Sequence, residues 1–596
     1  MKIIRPLCTL LFGVAVFLFF GLAYPHHLHY QEQYQLFLFD SAYVWEIVRL
    51  PGGIADLLGR FCTQFFLFAW IGAAIIAILL SAVQLLTLRL ARWGRFYALS
   101  FVPSFLLWLF LLDENALLGG VWAVLLTLLA SWAFDRLPNG WTRRILLIVA
   151  IPILYWVVGP VCLLFFLLQA LRPKLPAWYY GVFVLLVAMP IILSHGLPVP
   201  SSSLWFGIHY HRYPTEIPVL LWVAALSVFV LTLLVRAILK PQTSTIVQAE
   251  RNGIDSNGRK HNKPQISNLK PQTSSLLSFL LVAVCMGFFV WKGCNFKAEK
   301  VMQYDFMACH QQWNRIIDTI NTDKPNNQIG VTVQNLALAM RGMLADHMFE
   351  YHQNGISGLL PDIERDATSP MPTAEAFYQL GMTNVAQRSV FEAQEAILDF
   401  QKSARCYKRL AQTNLINGSY EVARKYLVAL QKTLFYREWA NETLSLLGNE
   451  KAIAKHPEYG RLRQMAYDEN FLFSDNVAPN MLQSLFFSNT SNRLAYEYLM
   501  ADYLLTGDLG NFANYVGWGE KLGYPAIPRH FQEALALKWS LGHGENEQMP
   551  AQVSPAVAQR FSQFISYIKS PAVTPEGLAQ YYGDTYWYYY FNSIKR

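Results

Sequence analysis

The sequence predicts an all-α protein in two parts, a polytopic transmembrane helix bundle followed by a soluble solenoid of helical repeats. Three observations predict it. Apolar runs long enough to cross a bilayer recur through the first half. Lys and Arg outnumber Asp and Glu by 21 to 10 in residues 1–293, against 27 to 30 in residues 294–596, so the basic excess belongs to the membrane half, where cytoplasmic loops collect it. The second half shows helical periodicity in paired segments and almost no strand alternation. Hydrophobic residues make up 54% of the 596-residue chain and charged residues 15%, well under the quarter usual in soluble proteins.

Residues 1–24 carry Lys2 and Arg5 ahead of an apolar run. The pattern fits a signal peptide with Gly21-Leu22-Ala23 as its cleavage site, or an uncleaved anchor. A run of about 18 apolar residues is long enough to span, which favours the anchor. A long outer loop, 25–61, follows. A second span, 62–86, ends at Arg89, Arg92 and Arg95, which mark an inner loop. A third, 96–112, reaches Asp113 and Glu114 outside, and a fourth, 117–134, returns to Arg136, Arg143 and Arg144 inside. The run 145–171 reads two ways. As one helix it would measure about 40 Å, more than a bilayer's apolar core, and would put the later basic linker outside. As two half-helices turning at Gly159-Pro160 it keeps that linker inside. The linker's Arg251, Arg259, Lys260, Lys263 and Lys270 favour the hairpin.

Spans at 178–194 and 218–239, joined by an outer loop 196–217, complete a membrane domain over residues 1–239. Residues 240–275 are polar and read as a disordered cytoplasmic linker. Within it the string LKPQTS at 239–244 recurs at 269–274, a local duplication. A last span, 276–293, delivers residues 294–596 to the outer side. In a bacterial inner (cytoplasmic) membrane that side is the periplasm.

The soluble part is clearest at residues 407–440, where Leu415, Gly418, Tyr420, Ala423, Leu427 and Leu430 fall at the bulky and small positions of a tetratricopeptide-like helix–turn–helix. Residues 495–537 repeat the pattern with Leu504, Gly507, Leu509, Phe512 and Tyr515, and weaker pairs lie at 313–344 and 376–410. Each pair buries a face only by stacking on a neighbour, so the expected architecture is a solenoid, and such arrays bind peptides or partner proteins. The aromatic tail 581–591 reads as a capping helix, or as a surface for glycan or membrane contact.

Composition narrows the chemistry. The seven cysteines form no CxxC pair, so a zinc site or disulfide framework is not expected. His26, His27 and His29 lie too close in sequence to converge on a metal, and no metal site is expected. Walker A, GxSxG, HExxH and GxGxxG motifs are missing, and no basic, aromatic-interleaved patch suggests nucleic acid. The sequence names no cofactor. Two outer segments remain. Glu32, with Asp40 behind it, opens the first outer loop, where a carboxylate could act as general base. It either does this or simply hydrates the loop. The apolar run 36–48 after it would lie in the membrane interface as a floor for a lipid-linked substrate. The second outer loop holds Trp205, His209, Tyr210, His211 and Arg212. Arg212 can clamp a phosphate bidentately, with aromatics suited to a sugar or isoprenoid, or it snorkels within an aromatic belt.

The segments Glu32-Gln33-Tyr34-Gln35-Leu36-Phe37, Pro51-Gly52-Gly53 with Gln64-Phe65-Phe66, and Gly207 through Pro214 resemble an uncharacterised family of bacterial multipass proteins with a tetratricopeptide-like tail. The layout is more distantly similar to GT-C glycosyltransferases, which carry an acidic residue in a long first outer loop and use lipid-phosphate sugar donors. The resemblance implies Glu32 as the matching acid, although Gln33 stands where a second acid is usual. Two functions follow as expectations. One is a membrane-embedded transferase moving a sugar from a lipid-phosphate carrier to an exported acceptor, with Glu32 and Asp40 catalytic and Arg212, His209, His211, Tyr210 and Trp205 binding substrate. The other is a non-catalytic membrane scaffold whose repeat domain docks envelope proteins. A transferase requires a roofed polar cavity between the two outer loops, whereas a scaffold fills that space with apolar packing.

Overall fold

The computed structural model describes residues 4–595 except 92, 139, 172–177, 214, 253–270, 363–369, 398–400, 468–477, 543–547 and 572. The described chain is all-α, and its one strand-like feature is an isolated bridge between Ala116 and His211. It divides into two units. The first holds Met1–Glu299 with Leu398–Gln401 and Lys432–Leu434, and the second holds Lys300–Ile397, Lys402–Gln431 and Phe435–Arg596.

The first unit begins with α1 (Ile4–Leu18), which continues as a wider turn to Ala23. Three short helices follow: α2 (Pro25–Gln33), α3 (Ser41–Val48) and α4 (Gly53–Thr63). Next come α5 (Ala69–Leu90), α6 (Val102–Phe110), α7 (Leu118–Asp135), α8 (Trp141–Val158) and α9 (Cys162–Ala170). The unit closes with α10 (Trp178–Gly196), α11 (Ser201–Phe206), α12 (Val219–Asn252) and α13 (Pro271–Gly293). Among the described residues five runs are, by length and composition, long and apolar enough to cross a membrane: Ile4–Ala23, Ala69–Leu90, Leu118–Asp135, Trp141–Ala170 and Val219–Ala237. Leu277–Gly293 passes with Phe296–Cys309 as a pair bent by 59°.

The run Trp141–Ala170 folds back on itself. Arg143 Nη2 donates to Gln169 Oε1 at 2.8 Å, whereas one straight helix would hold them about 39 Å apart. Gly159, at φ +61°, makes the reversal and Pro160 starts the return, so the hairpin expected from the charge pattern is what forms. Arg236 Nη1 and Nη2 donate to the carbonyls of Leu171 and Leu90 at 3.0 and 3.3 Å. The ends of α5, α9 and α12 therefore gather at one end of the bundle. Of the linker 240–275, residues 253–270 lie outside the described residues, and the flanks continue α12 and lead into α13.

Polar side chains tie the bundle where apolar contact alone is unspecific. Thr9 Oγ1 donates to Gln84 Oε1, and Gln84 Nε2 to Ser100 Oγ, each at 2.9 Å, all three residues being buried. Within apolar surroundings such bonds fix register between helices. Helix α4 meets α7 backbone to backbone: a Cβ on Gly59 would stand 2.4 Å from the Gly119 nitrogen.

In the second unit helix pairs form within the stretches expected at 407–440 and 495–537, and another forms at 370–396, displaced from the 376–410 expected. Ala404–Ile416 and Tyr420–Gln431 turn at Gly418, Arg493–Thr506 and Leu509–Tyr515 at Gly507, and Pro370–Gln379 and Thr383–Ala396 at Gly381. The three glycines have φ of +77°, +76° and +85°, the left-handed helix end that glycine tolerates best. A buried ionic chain runs through the first of these helices: Arg405 bonds Asp305 and Glu375, and Glu375 bonds Arg409, which lies 3.6 Å over the Tyr378 ring. The aromatic tail packs inward, with Trp587 Nε1 donating to the Glu533 carbonyl at 2.7 Å and Tyr586 and Trp587 fully buried.

Candidate functional site

The residues singled out by sequence gather at the end of the first unit opposite Leu90, Leu171 and Arg236. Helix α2 organises them. Pro25 occupies its first turn, where a missing N–H costs nothing. Glu299, from beyond α13, accepts from the backbone N–H groups of His26 and His27 at 2.8 and 2.9 Å. A carboxylate at this position satisfies orphan donors and opposes the positive end of the helix dipole. Burial pushes the Glu299 carboxyl up to about 7 against the pull of those two donors. The three histidines thus open a capped helix, and His27 is buried.

One face of α2 receives the second loop. Arg212 Nη1 donates to the Tyr30 hydroxyl at 2.9 Å, and its guanidinium lies 3.5 Å over the Tyr34 ring. Its backbone N–H donates to the Asn115 carbonyl at 2.8 Å. Next to it His211 Nε2 meets Asp113 Oδ2 at 3.1 Å. Burial alone would lower the His211 pKa, but the bond to Asp113 and the Tyr213 carbonyl raise it overall. Gln31 Nε2 donates to the Ala116 carbonyl at 3.0 Å. The space left beside Arg212, bounded by Gln31, Tyr34, Gln35, Thr63 and Glu114, amounts to about 10 Å³, room for one water.

Glu32 sits on the same helix, 5% exposed, but does not border that space. Asp40 caps α3, accepting from Ala42 N–H at 3.2 Å, and pairs with Lys432, one of the three residues of Lys432–Leu434 that belong to this unit. The run 36–48, expected as one interfacial stretch, has no regular secondary structure up to Asp40 and is helical only from Ser41. Its α3 keeps Trp45 66% exposed.

His209 and Tyr210 belong to a second cluster. Gly52, at φ +80°, gives its N–H to the Trp156 carbonyl at 2.8 Å, and a Cβ there would lie 2.6 Å from His209 Nε2. Tyr210 Oη donates to the Val158 carbonyl at 2.9 Å, so the Gly159 turn is pinned to the second loop. Asp56 faces His209 and pairs with Arg60 at 2.8 Å, while burial lowers the His209 pKa to about 4. Trp205 is 38% exposed on α11. Glu299, Asp113 and the Asp56–Arg60 pair were not among the sequence candidates. The last has a helical i,i+4 spacing that could have flagged it, whereas nothing local to Glu299 announces a cap for a helix 273 residues earlier.

Chemically, the arrangement holds a cation on two tyrosines and a neutral buried histidine beside an ion pair. Among the described residues no group of three or more His, Cys, Asp or Glu is placed to hold a metal ion. Comparison with known families assigns the chain. It belongs to a family of unknown function, DUF6057, whose model matches residues 1–593. No curated protein and no solved structure matches it.

Proposed function

We propose that this chain is an integral membrane scaffold of the bacterial cell envelope. Its first unit anchors it in the inner membrane, and its second unit, exported to the periplasmic side, docks another envelope protein. The observation that carries this reading is the closed packing around Arg212: stacked on Tyr34 and bonded to Tyr30, it leaves about 10 Å³ where a lipid-phosphate sugar would need a substrate-sized cavity. In this reading the successive helix pairs of the second unit stack as a tetratricopeptide-like solenoid, supported by the glycine turns at 381, 418 and 507.

The membrane-embedded transferase is the second reading. It is favoured by Arg212 Nη2, buried and without a hydrogen-bond partner among the described residues, and by short helices filling the loop between the first two spans. It would move a sugar from a lipid-phosphate donor to an exported acceptor, with Glu32 as base, Asp40 as its support and Arg212 as phosphate clamp once Tyr34 swings aside. Glu32→Gln and Arg212→Ala, each checked for wild-type protein level in the membrane, separate the two. Unchanged surface glycan and lipid-linked intermediates support the scaffold, and build-up of a lipid-linked sugar in either variant overturns it.

A further inference from the structure

We propose that a polar groove in the second unit binds an acidic peptide segment in extended form. The proposal rests on the docking role above and names the chemistry of the partner. The groove measures about 430 Å³, within the range of specific ligand sites. It is formed where the helices Gln328–Met340 and Pro457–Met465 end and Arg493–Thr506 begins.

Two guanidiniums line it. Arg461 donates to the Gln379 carbonyl at 3.3 Å and to Gln379 Oε1 at 2.7 Å, both neutral acceptors, and burial lowers its pKa. Arg493 lies 4.2 Å over the Tyr524 ring, with Nε bonded to Glu497 at 2.9 Å. With Nε on Glu497 and the Tyr524 hydroxyl also in hydrogen-bonding contact, the guanidinium is held in place and can present its remaining N–H groups to a carboxylate. Gly342, at φ +67°, lets the guanidinium approach: a Cβ there would stand 3.3 Å from Arg493 Nη2. Glu497 is the one carboxylate bordering the groove, so the two arginines leave it net positive.

An independent observation points to a ligand. Asn492 is 4% exposed, its Oδ1 caps the helix by accepting from Ala495 N–H at 3.0 Å, and its Nδ2 is buried with no hydrogen-bond partner among the described residues. A buried amide donor without an acceptor is costly; a small shift of the side chain would let a carboxylate or carbonyl from a ligand satisfy it, beside the positive end of a 14-residue helix. The remaining lining discriminates between acidic chains. Gln464 offers an amide to peptide groups, and Met340 and Met465 offer adaptable apolar surface. No aromatic ring is among the lining residues, so the stacking platform that a sugar ring prefers is missing.

The test uses the full chain in lipid nanodiscs and a fluorescein-labelled hexapeptide of alternating Asp and Ala. Saturable, salt-sensitive binding is expected, at least about 10-fold tighter than to the same peptide with Asn for Asp. Arg461→Gln, assayed once circular dichroism shows the fold retained, should weaken it about 10-fold. Arg493→Gln would strip Glu497 of its partner, so Gln464→Glu, an exposed position, serves as the second variant and should weaken binding through repulsion. Equal affinity for the acidic and amide peptides, or wild-type affinity in both variants, overturns the proposal. So does stronger competition by oligogalacturonate than by the unlabelled acidic peptide. Failure here leaves surface glycan profiles untouched, so it is distinguishable from failure of the scaffold reading.

Discussion

Glu375 is the keystone of the second unit's ionic chain, and its removal gives a measurable stability loss. The carboxylate is 2% exposed and both of its oxygens lie 2.7 Å from Arg409 Nη2, with Arg405 Nη2 at 3.2 Å. Arg405 in turn bonds Asp305 at 2.5 and 2.8 Å. Replacing Glu375 by Gln leaves two buried guanidiniums sharing the charge of Asp305 alone. Breaking one side of a buried pair costs about 3–5 kcal/mol, because the surviving charge stays desolvated. For a unit of this size each kcal/mol shifts Tm by about 2–3 °C, so the drop should be about 6–15 °C. The assay is thermal unfolding of the full chain in detergent, followed by far-ultraviolet circular dichroism. A double variant, Glu375→Leu with Arg409→Met, removes both charges at similar volume and should recover at least half of the loss. A shift under about 2 °C for Glu375→Gln, or a double variant worse than the single, refutes the account.

Two further outcomes follow from the first unit. Burial holds the Glu299 carboxyl up at about 7 in the folded chain, against 4.5 for a free glutamate. Between those values the folded state keeps a proton that the unfolded state has released, so this group's stabilising contribution is full below 4.5 and declines as pH rises towards 7. The span is worth about 3 kcal/mol. Glu299→Gln should flatten that part of a Tm–pH profile, and parallel profiles would refute it. At the α4–α7 crossing, Gly59→Val places a Cβ 2.4 Å from the Gly119 nitrogen, so the backbones must part. Loss of a monodisperse peak in size-exclusion chromatography is expected, and wild-type behaviour would mean that the crossing is looser than described.

Much of the helical architecture was legible in the residues. Apolar runs gave most of the candidate spans, although those expected at 96–112 and 178–194 form shorter helices, Phe96–Phe110 and Gly181–Gly196. The Lys/Arg distribution favoured the hairpin at Gly159-Pro160, and glycines at 418 and 507 marked two turns of the second unit, while the turn at Gly381 was not foreseen. The candidate site was legible only in part. Sequence brought Glu32 and Arg212 to one end of the bundle, but it could not give the direction of each side chain around α2. Tyr30 and Tyr34, four residues apart, form the face that takes Arg212, and Glu32 does not border the space beside it. The long-range partners, Glu299 for α2 and Asp113 for His211, were hidden because nothing in a local pattern records a contact made across the fold.

The cap on α2 also sets an order of events during synthesis. The helix begins at residue 25, yet the carboxylate that completes its first turn is 273 positions downstream of His26. At roughly 5–20 residues per second that is about 14–55 seconds of translation. Until the ribosome passes that point, the first loop has its sequence but not its anchor. The end of the bundle carrying Arg212 therefore locks shut last, after the spans between have been threaded.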